Sequence, residues 1–490
     1  MERVMEAYDY DIYGVVFGVV IASCSSCVMF VTSSDLKEKS DYAITGFYLL
    51  ITLCILSIVS CVSVIGITLN GRHVVANEHT DNTIGLKLKF LYFFGFGSAL
   101  NQICECLYDH VCRDLTETHT STVFVTRIIL LLFFLTQTCF MKLTSRQQFP
   151  QIVWIYIALG VLSITNISIW THFTVNVSHH NNWLFNSSTN RTCSKNSTSN
   201  ILYKSSRPIM EPMTIEYVLL CCIFLFELWP KNQNRGVCDL LKPNTSSDSA
   251  PSLLLNGDNL NRRRLNIRLL SATIGFLIIL PIVFFKLLDV FTDYQYTVET
   301  LVCYCFSNTL LICLLIMCFY LIPFESHRLN KTRSFLFVHY ILLFGASGFM
   351  FFITLSLFNN IYRTDNVDPL IRILAIYMEI AFIILCFLQT TFILHINNYQ
   401  RNISEQAEYL SIGNISLTIG VIQLGYWSIS SFLSASYGMS ASHEREFYGK
   451  KMYRILFYIF FPFGVFYHFK SFIFFYDIHQ RFKIRNHTLL

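Results

Sequence analysis

Long apolar segments, separated by short polar ones, make up most of the chain. Twelve of them run for about 20 residues, the length at which a helix crosses a hydrocarbon core roughly 30 Å thick. Because backbone groups in lipid must be hydrogen-bonded within the protein, the pattern predicts an all-α membrane protein with twelve transmembrane helices. The predicted helices start near Ile12, Ala43, Leu88, Thr122, Gln151, Pro212, Arg268, Thr300, Ser334, Ile371, Leu410 and Met452.

The composition excludes an ordinary soluble protein, since 53% of the residues are hydrophobic and only 14% are charged. The sequence has no phosphate loop, nucleophile elbow or Cys/His metal spacing, so we expect neither enzymatic activity nor a cofactor. The net charge of +5 fits cytosolic loops beside anionic lipid better than nucleic-acid binding. The first apolar segment follows an acidic start, which indicates a retained helix and not a signal peptide.

A polar linker divides the chain. Residues 232–267 contain the stretch KPNTSSDSAPS and are predicted to form a flexible cytosolic connection. On either side lie an N-terminal half, residues 1–231, and a C-terminal half, residues 268–490, with six predicted helices each. An even number of helices makes both halves enter the membrane the same way round, so we expect two parallel, barrel-like repeats.

The loops after the even-numbered helices carry most of the Lys and Arg residues, which places them and both termini in the cytosol. The loop between the fifth and sixth helices then lies outside the cell, as expected for a plasma-membrane glycoprotein. A polar loop that is never glycosylated remains an alternative. Cys112 and Cys193 fall in outer loops, as a disulfide or as free thiols. The sequons of the outer loop are Asn176, Asn186, Asn190 and Asn196.

One polar pattern occurs in both halves, about 250 residues apart, within otherwise apolar helices. Polar side chains inside a bilayer cost free energy and often mark ion pathways. Amides and hydroxyls supply donors and acceptors without a fixed charge, so they can align a file of water. They can equally tie neighbouring helices together. The repeated residues are Gln137, Asn166 and Tyr217 in the first half and Gln389, Asn414 and Tyr467 in the second.

Several motifs combine into a recognisable order: FLTQTCF, TNISIW, PMTIEY, GSALNQICECLYD around Glu105, and the closing segment FPFGVFYHFKSFIFFYDIH. In this order, on a twelve-helix plan, they resemble the otopetrins, a family of proton-selective channels. The closing segment is similar to the family's C-terminal signature of apolar residues followed by Phe-Tyr, basic residues and Ser. The resemblance spans both halves, and the order of the motifs is more specific than any one of them.

The resemblance implies two six-helix barrels per subunit, a homodimer, and proton conductance driven by extracellular acid and blocked by zinc. In the family a Gln, an Asp or Asn and a Tyr line a constriction in each barrel. These positions correspond to the six repeated residues given above. We therefore expect protons to enter the cell down their gradient, along water files interrupted by these side chains.

The chain also departs from the family pattern. Asn166 is neutral where family members can carry an acid, so titration at this position cannot gate the pore. Arg127 and Glu379 lie ten residues before Gln137 and Gln389, respectively, at equivalent places in the two halves. We hypothesise that they form an ion pair between the halves, which would neutralise both. The alternative is that each reaches the membrane surface separately.

Two further acids, Glu105 and Glu216, lie within predicted helices and are candidates for a proton relay. Neighbouring residues on a helix project about 100° apart, so Tyr217 and Glu216 cannot both face one pore. We expect Tyr217 to face the pore and Glu216 a neighbouring helix, which makes Glu105 the better relay candidate.

Histidines in the outer loops are candidates for sensing acid or binding zinc, because imidazole titrates near neutral pH and is a common zinc ligand. The pair His179 and His180, and His443 in the segment HEREF, are the best placed. Solvated histidines without a role are the alternative, since no spacing among them forms a metal motif. The sequence puts His110, His119, His172, His179, His180 and His443 in these loops.

Two other classes of protein remain open. A secondary transporter of the major-facilitator type also has six plus six helices and a long central loop. In such transporters the loop between the second and third helices usually carries a Gly, Asp and Arg pattern. In this chain the same loop has Gly71 and Arg72 but no basic cluster after them. A non-conducting scaffold or receptor that keeps the barrel fold is the other alternative.

Overall fold

The computed structural model describes most of the chain in fourteen segments. The described segments are 41–69, 75–76, 83–111, 117–145, 147–149, 152–186, 198–229, 257–291, 297–328, 337–362, 368–397, 399–401, 411–434 and 447–482. The first predicted helix, near Ile12, lies outside them.

Long helices account for nearly all of these segments. The helices are α1 (Asp41–Leu69), α2 (Ile84–Val111), α3 (Glu117–Thr144), α4 (Val153–Asn186), α5 (Thr198–Glu227), α6 (Gly257–Phe291), α7 (Thr297–Glu325), α8 (Phe337–Tyr362), α9 (Pro369–Ile396), α10 (Ile412–Ser428) and α11 (Lys450–Phe482). A short π-helix, Ile429–Ser434, continues α10.

Within the described residues, nine helices are long and apolar enough to cross a membrane. The prediction of an all-α, multi-pass membrane protein is therefore confirmed at this level, while the count of twelve remains a prediction. The two helices outside this set, α2 and α11, carry charged residues within apolar sequence, such as Glu105 and Lys470. Both side chains are buried, so α2 and α11 bring ionisable groups into the protein interior.

The chain divides into two compact units, Met1–Lys231 and Asn232–Leu490, which we call unit 1 and unit 2. In unit 2 six helices form a closed ring in which each packs against the next, in the order α6, α7, α9, α8, α11, α10 and back to α6. In unit 1 the five described helices follow the same kind of order: α1, α3, α2, α5, α4 and back to α1. Each ring encloses the buried side chains considered below.

Each unit also contains one small antiparallel ladder between two inter-helix loops. In unit 1, β1 (Val75–Ala76) pairs with β2 (Gln147–Gln148), which joins the α1–α2 loop to the α3–α4 loop. In unit 2, β3 (Ser326–Arg328) pairs with β4 (Tyr399–Arg401), between the α7–α8 and α9–α10 loops. The ladders occupy corresponding loops, so the ends of corresponding helices are held together in the same way.

The junction between α8 and α9 is fixed by side chains that satisfy helix ends. Asp368 is the N-cap of α9 and accepts a hydrogen bond from the Leu370 backbone nitrogen at 3.0 Å. One turn later, Arg372 Nε donates to the Asn360 carbonyl oxygen of α8 at 2.9 Å. Its Nη2 donates to the Ile361 carbonyl oxygen of the same helix. A guanidinium at the carboxyl end of a helix also complements the helix dipole. This junction sets the register of α9, on which Glu379 and Gln389 lie.

The side chains are distributed as expected in lipid, with apolar groups outside and polar groups inside. Phe306, Phe344 and Phe387 expose 63%, 65% and 62% of their surface, whereas Gln389 and Gln423 are completely buried. Large exposed aromatic side chains on membrane-length helices are stable where the solvent is hydrocarbon.

Candidate functional site

The interior of unit 2 contains a chain of hydrogen bonds between three side chains, each from a different helix. His468 of α11 binds through Nδ1 to the amide oxygen of Gln423 on α10 at 2.7 Å. The Gln423 amide nitrogen then donates to the Gln389 amide oxygen on α9 at 2.8 Å. Because an amide oxygen only accepts, the His468 Nδ1 carries the proton in this bond. We call these three residues the amide–imidazole chain.

Aromatic rings surround the imidazole end of this chain. The ring centroid of His468 lies 4.9 Å from that of Phe349, 5.5 Å from that of Tyr426 and 6.3 Å from that of Phe382. Edge-to-face contacts of this kind orient a ring and exclude water from it. The amide–imidazole chain is therefore held on one side by packing and on the other by hydrogen bonds.

A second polar group joins α7 to α10 within the same ring. The Tyr426 hydroxyl donates to the Asn308 amide oxygen at 2.7 Å and is hydrogen-bonded to the Ser307 hydroxyl. Tyr426 lies one helical turn after Gln423, so the two project from neighbouring positions on α10. Four helices of unit 2 thus contribute polar side chains to its interior.

The two repeated tyrosines make the same contacts in the two units. The Tyr217 hydroxyl donates to the Phe134 carbonyl oxygen at 3.0 Å and lies 2.8 Å from the Thr138 hydroxyl. The hydroxyl of Tyr467 likewise lies 3.1 Å from the Cys386 carbonyl oxygen and 3.1 Å from the Thr390 hydroxyl.

In each unit the carbonyl belongs to the residue three before the repeated Gln, and the hydroxyl to the residue one after it. The contact between the fourth and sixth predicted helices of each half therefore has the same register. Neither tyrosine is hydrogen-bonded to the repeated Gln of its own unit.

Unit 1 encloses four amide side chains, three of which have no hydrogen bond from the amide nitrogen within the described residues. Gln102 and Gln137 are completely buried, and neither the amide nitrogen nor the amide oxygen of either has a partner there. The Asn101 amide nitrogen also has no hydrogen-bond partner there. Asn166 donates to the Leu162 carbonyl oxygen of its own helix at 2.7 Å, which leaves its amide oxygen unpaired. We call Asn101, Gln102, Gln137 and Asn166 the amide column.

A buried amide without a partner costs about 1–3 kcal/mol, so such groups seldom persist without water or another ligand to bind. The amide column carries six unpaired nitrogen and oxygen atoms of this kind within the described part of unit 1. Its four members come from α2, α3 and α4. These unpaired atoms are candidates for hydrogen bonds to water.

Ionisable groups from four helices of unit 1 lie close together. Arg127 of α3 forms an ion pair with Glu105 of α2, with the charged atoms 2.5 Å apart. On α5, Arg207 forms an ion pair with Glu211 four residues later. His172 of α4 is buried and lies within electrostatic range of Arg127. Glu211 in turn lies within electrostatic range of both Glu105 and Arg127. We call these five residues the ionisable cluster.

The structure assigns Arg127 and Glu379 partners within their own units. Arg127 pairs with Glu105, whereas the Glu379 carboxylate accepts from the Ser356 hydroxyl at 2.5 Å and the Asn360 amide at 2.8 Å. An ion pair between Arg127 and Glu379 remains a prediction. Glu105 is ion-paired with Arg127, and its role as a relay carboxylate remains a prediction.

One of the predicted site residues, Asn414, differs in its surroundings from the rest of the set. Asn414 is only partly buried and lies in the first turn of α10, beside the N-cap residue Ser411. It precedes Gln423 by nine residues, or about 14 Å of helix. The structure thus brings Gln423, and not Asn414, to Gln389. Glu216 is buried, and its orientation towards a neighbouring helix remains a prediction.

Several other predicted residues lie outside the described part of the chain. For Asn176, Asn186, His179 and His180 the backbone belongs to α4, but the side chains are not described. The residues Asn190, Asn196, His443, Cys112 and Cys193 lie outside the described segments altogether. The placing of His172 in an outer loop is corrected, because α4 continues through it and buries its ring.

Three important residues were not selected from the sequence: Gln423, His468 and Glu211. Gln423 is a lone amide in an apolar helix, the same signal that selected Gln389, but residues 171–175 of the first half hold no matching amide. His468 stands within the closing motif, directly after Tyr467. Glu211 follows Arg207 by one helical turn, a spacing that favours an ion pair and could have identified it.

These interiors can hold and orient water and protons, but they offer no recognisable metal site. Among the described residues, no group of three or more His, Cys, Asp or Glu side chains converges as metal ligands would. Polar side chains enclosed by a ring of membrane-length helices define a multi-pass membrane protein with a polar interior.

Comparison with known families narrows this class. The sequence model of the otopetrin family matches residues 172–469, which is more than half of the chain. The protein therefore belongs to the otopetrin family, as its motifs predict, and this is a family of proton channels and not of enzymes. No curated protein sequence matches the chain. The matched region includes Tyr217, Gln389, Asn414 and Tyr467 but begins after Gln137 and Asn166.

Proposed function

We propose that the protein is a proton-selective channel of the plasma membrane, which opens to extracellular acid and passes protons into the cell. Membership of the otopetrin family supports this function. The observation that carries it is the enclosure of buried, uncharged polar side chains within the helical ring of each unit. Such side chains orient water without trapping a mobile charge, which suits the passage of protons.

In this proposal the amide column of unit 1 binds a water file, and protons hop along it. Gln137 and Asn166 supply both donors and acceptors to that water, because their unpaired atoms include an amide nitrogen and amide oxygens. Tyr217 narrows the path beside Gln137, while its own hydroxyl is engaged by Phe134 and Thr138. Asn166 and Gln137 shape the water and do not titrate.

The wider architecture forms part of the same proposal. Twelve helices in two parallel six-helix repeats are supported by the matching tyrosine contacts, by the matching strand ladders, and by the common packing order of the two rings. We further propose a homodimer with cytosolic termini, a glycosylated loop between the fifth and sixth helices, and inhibition by zinc. Family membership and the loop charges and sequons support these points.

The test is whole-cell recording while the outside pH is stepped downwards, in cells whose surface expression is measured in parallel. We expect an inward current that reverses near the proton equilibrium potential and persists without any organic solute. A current that requires an organic solute would favour the transporter alternative. Surface-expressed protein without an acid-evoked current would contradict the proposed function.

Single substitutions then assign the path. Gln137→Leu and Asn166→Leu remove amides of unit 1, and Gln389→Leu and Gln423→Leu remove those of unit 2. We expect the substitutions in a conducting unit to reduce the current at equal surface expression. Gln147→Leu, a change in a short inter-helix strand, serves as the control that leaves the current unchanged.

A further inference from the structure

The ionisable cluster of unit 1 lies at one end of the amide column. Gln102 and Asn101 precede Glu105 on α2 by three and four residues, so they lie about one helical turn away and flank its position around the helix, about 100° apart. Arg127 precedes Gln137 on α3 by ten residues, or about 15 Å. Tyr217 contacts α3 beside Gln137, and helix α5 leads from there back to Glu211. The unpaired amides thus continue from the cluster towards Tyr217.

The two carboxylates of the cluster are held differently. Glu105 is bound by Arg127 from another helix, so this pair connects α2 to α3. Glu211 is bound by Arg207 of its own helix, one turn earlier, and this pair connects no two helices. Loss of the charge on Glu211 therefore leaves the helix packing intact, whereas loss of the charge on Glu105 breaks a link between helices.

The charges around Glu211 come from every helix that lines the cluster. Arg207 on its own helix and Arg127 on α3 attract its carboxylate, while Glu105 on α2 repels it. His172 is the titratable group contributed by α4, and it lies beside Arg127. With both acids ionised and the imidazole neutral, the two guanidiniums and two carboxylates balance. Uptake of one proton by Glu211 therefore gives these five residues one net positive charge.

We propose that Glu211 is the carboxyl group of unit 1 that takes up a proton from acidified extracellular water, and that the resulting loss of its ion pair with Arg207 raises the conductance of the amide column. The proton comes from hydronium and binds a carboxylate oxygen, so no other reactant is needed. This inference rests on the proposed channel function. Within that function, Glu211 is a positioning residue that acts on the ionisable cluster. The amides are positioning residues that act on the water file.

The first test is the dependence of the current on outside pH. Glu211→Gln keeps the shape of the side chain but fixes it neutral. We expect the half-maximal current to move towards neutral pH by about one pH unit, a tenfold lower proton concentration, and the pH dependence to become shallower. Glu211→Asp retains a titratable carboxyl, and we expect it to keep the wild-type slope.

The chain offers a matched control. Asp477 and Arg481 of α11 form another acid–guanidinium pair at the same spacing, with 3.0 Å between their charged atoms, but outside the ionisable cluster. Asp477→Asn should leave the pH dependence unchanged. If the current of Glu211→Gln depends on outside pH in the same way as the wild-type current, the inference is overturned while the channel function stays in place.

A second measurement does not depend on conduction. Infrared difference spectra of purified protein in lipid, recorded as the pH is lowered, detect the carbonyl band of a newly protonated carboxyl group. We expect one band that is present in the wild type and in Asp477→Asn and is lost in Glu211→Gln. If the wild type carries no proton current, the channel function fails but this band still decides whether Glu211 takes up the proton. Spectra that are identical in wild type and Glu211→Gln would overturn the inference.

Discussion

The two units differ in how far protein groups satisfy the buried amides within their helical rings. In unit 2 the amides of Gln389 and Gln423 bind each other and His468, so most of their hydrogen bonds are made by protein. In unit 1 the amides of Gln102 and Gln137 make no hydrogen bond within the described residues. The tyrosine contacts beside them have the same register in both units.

This difference shows that a shared scaffold does not impose a shared interior. The register of the helices is kept by contacts such as that of Tyr217 with Phe134. The hydrogen bonding of the interior is decided by residues with no counterpart in the other half, such as His468 and Gln423. In unit 2 protein groups satisfy the amide oxygens of Gln389 and Gln423 and the Gln423 nitrogen, and leave the Gln389 nitrogen unpaired, whereas the amides of Gln102 and Gln137 have no partner within the described residues of unit 1.

The charged residues follow the same division. At equivalent depth, unit 1 has an ion pair between α2 and α3, formed by Glu105 and Arg127. Unit 2 has a carboxylate, Glu379, that accepts hydrogen bonds from the neutral side chains of Ser356 and Asn360. Neutralising a carboxylate has different consequences in the two cases.

The largest expected effect tests this contrast between the two carboxylates. Glu105→Gln leaves Arg127 without its paired carboxylate in a buried site, which should destabilise the protein by about 3–5 kcal/mol. In Glu379→Gln the amide oxygen can still accept from Ser356 and Asn360, so we expect a loss of about 1 kcal/mol. Thermal unfolding of the purified, detergent-solubilised variants measures both. Equal losses would show that the two carboxylates are held equivalently.

A smaller effect, with opposite signs, separates the two sets of amides. Gln389→Leu leaves the Gln423 amide nitrogen without its acceptor and should destabilise by about 1–3 kcal/mol. Gln137→Leu removes an amide that has no hydrogen bond in the described structure, so the unfolding temperature should stay the same or rise. The same thermal measurement applies. A comparable loss for Gln137→Leu would mean that its amide is as well satisfied as that of Gln389.

The third prediction tests the similarity of the units. Tyr217→Phe and Tyr467→Phe each remove a hydroxyl that contacts a backbone carbonyl and a threonine, so each should cost about 1 kcal/mol. The unfolding temperatures of the two variants should fall by the same amount. A fall confined to one variant would contradict the equivalence of these contacts.

The smallest effects concern close helix packing beside these tyrosines. A methyl group on Gly95 would lie 3.1 Å from the Thr138 hydroxyl, and one on Gly345 would lie 3.1 Å from Phe466. In Gly95→Ala and Gly345→Ala, crowding should offset the gain in helix propensity, which is about 1 kcal/mol, and leave stability nearly unchanged. Gly160→Ala has open space around it, so this control should show the full gain. Stabilisation of all three variants would indicate looser packing than the structure has.

Much of the fold follows from the sequence, because membrane-length apolar segments admit few structures. Buried polar positions such as Gln137 and Tyr467 were also selected correctly as buried, since an amide or hydroxyl in an apolar helix stands out. Their hydrogen-bond partners could not be read in the same way. The bond between Gln389 and Gln423 depends on how two helices rotate against each other, and helical periodicity alone leaves that rotation open.

Asn414 illustrates the limit of the repeat. Its motif matches that around Asn166, yet the N-cap at Ser411 starts α10 only three residues earlier. Asn166, by contrast, lies well inside α4. The same short motif therefore falls at a helix end in one unit and in a helix interior in the other, because the starts of the two helices differ.

The amide–imidazole chain has a direction, since every donor in it points from α11 through α10 to α9. The direction is fixed by the proton on the His468 Nδ1. If that proton moves to the other ring nitrogen, Nδ1 becomes an acceptor and the Gln423 amide must turn over to meet it. Gln423 then presents its oxygen to Gln389, whose amide must turn as well. A change of tautomer on α11 is thus recorded on α9 as a reversed dipole, without movement of any helix.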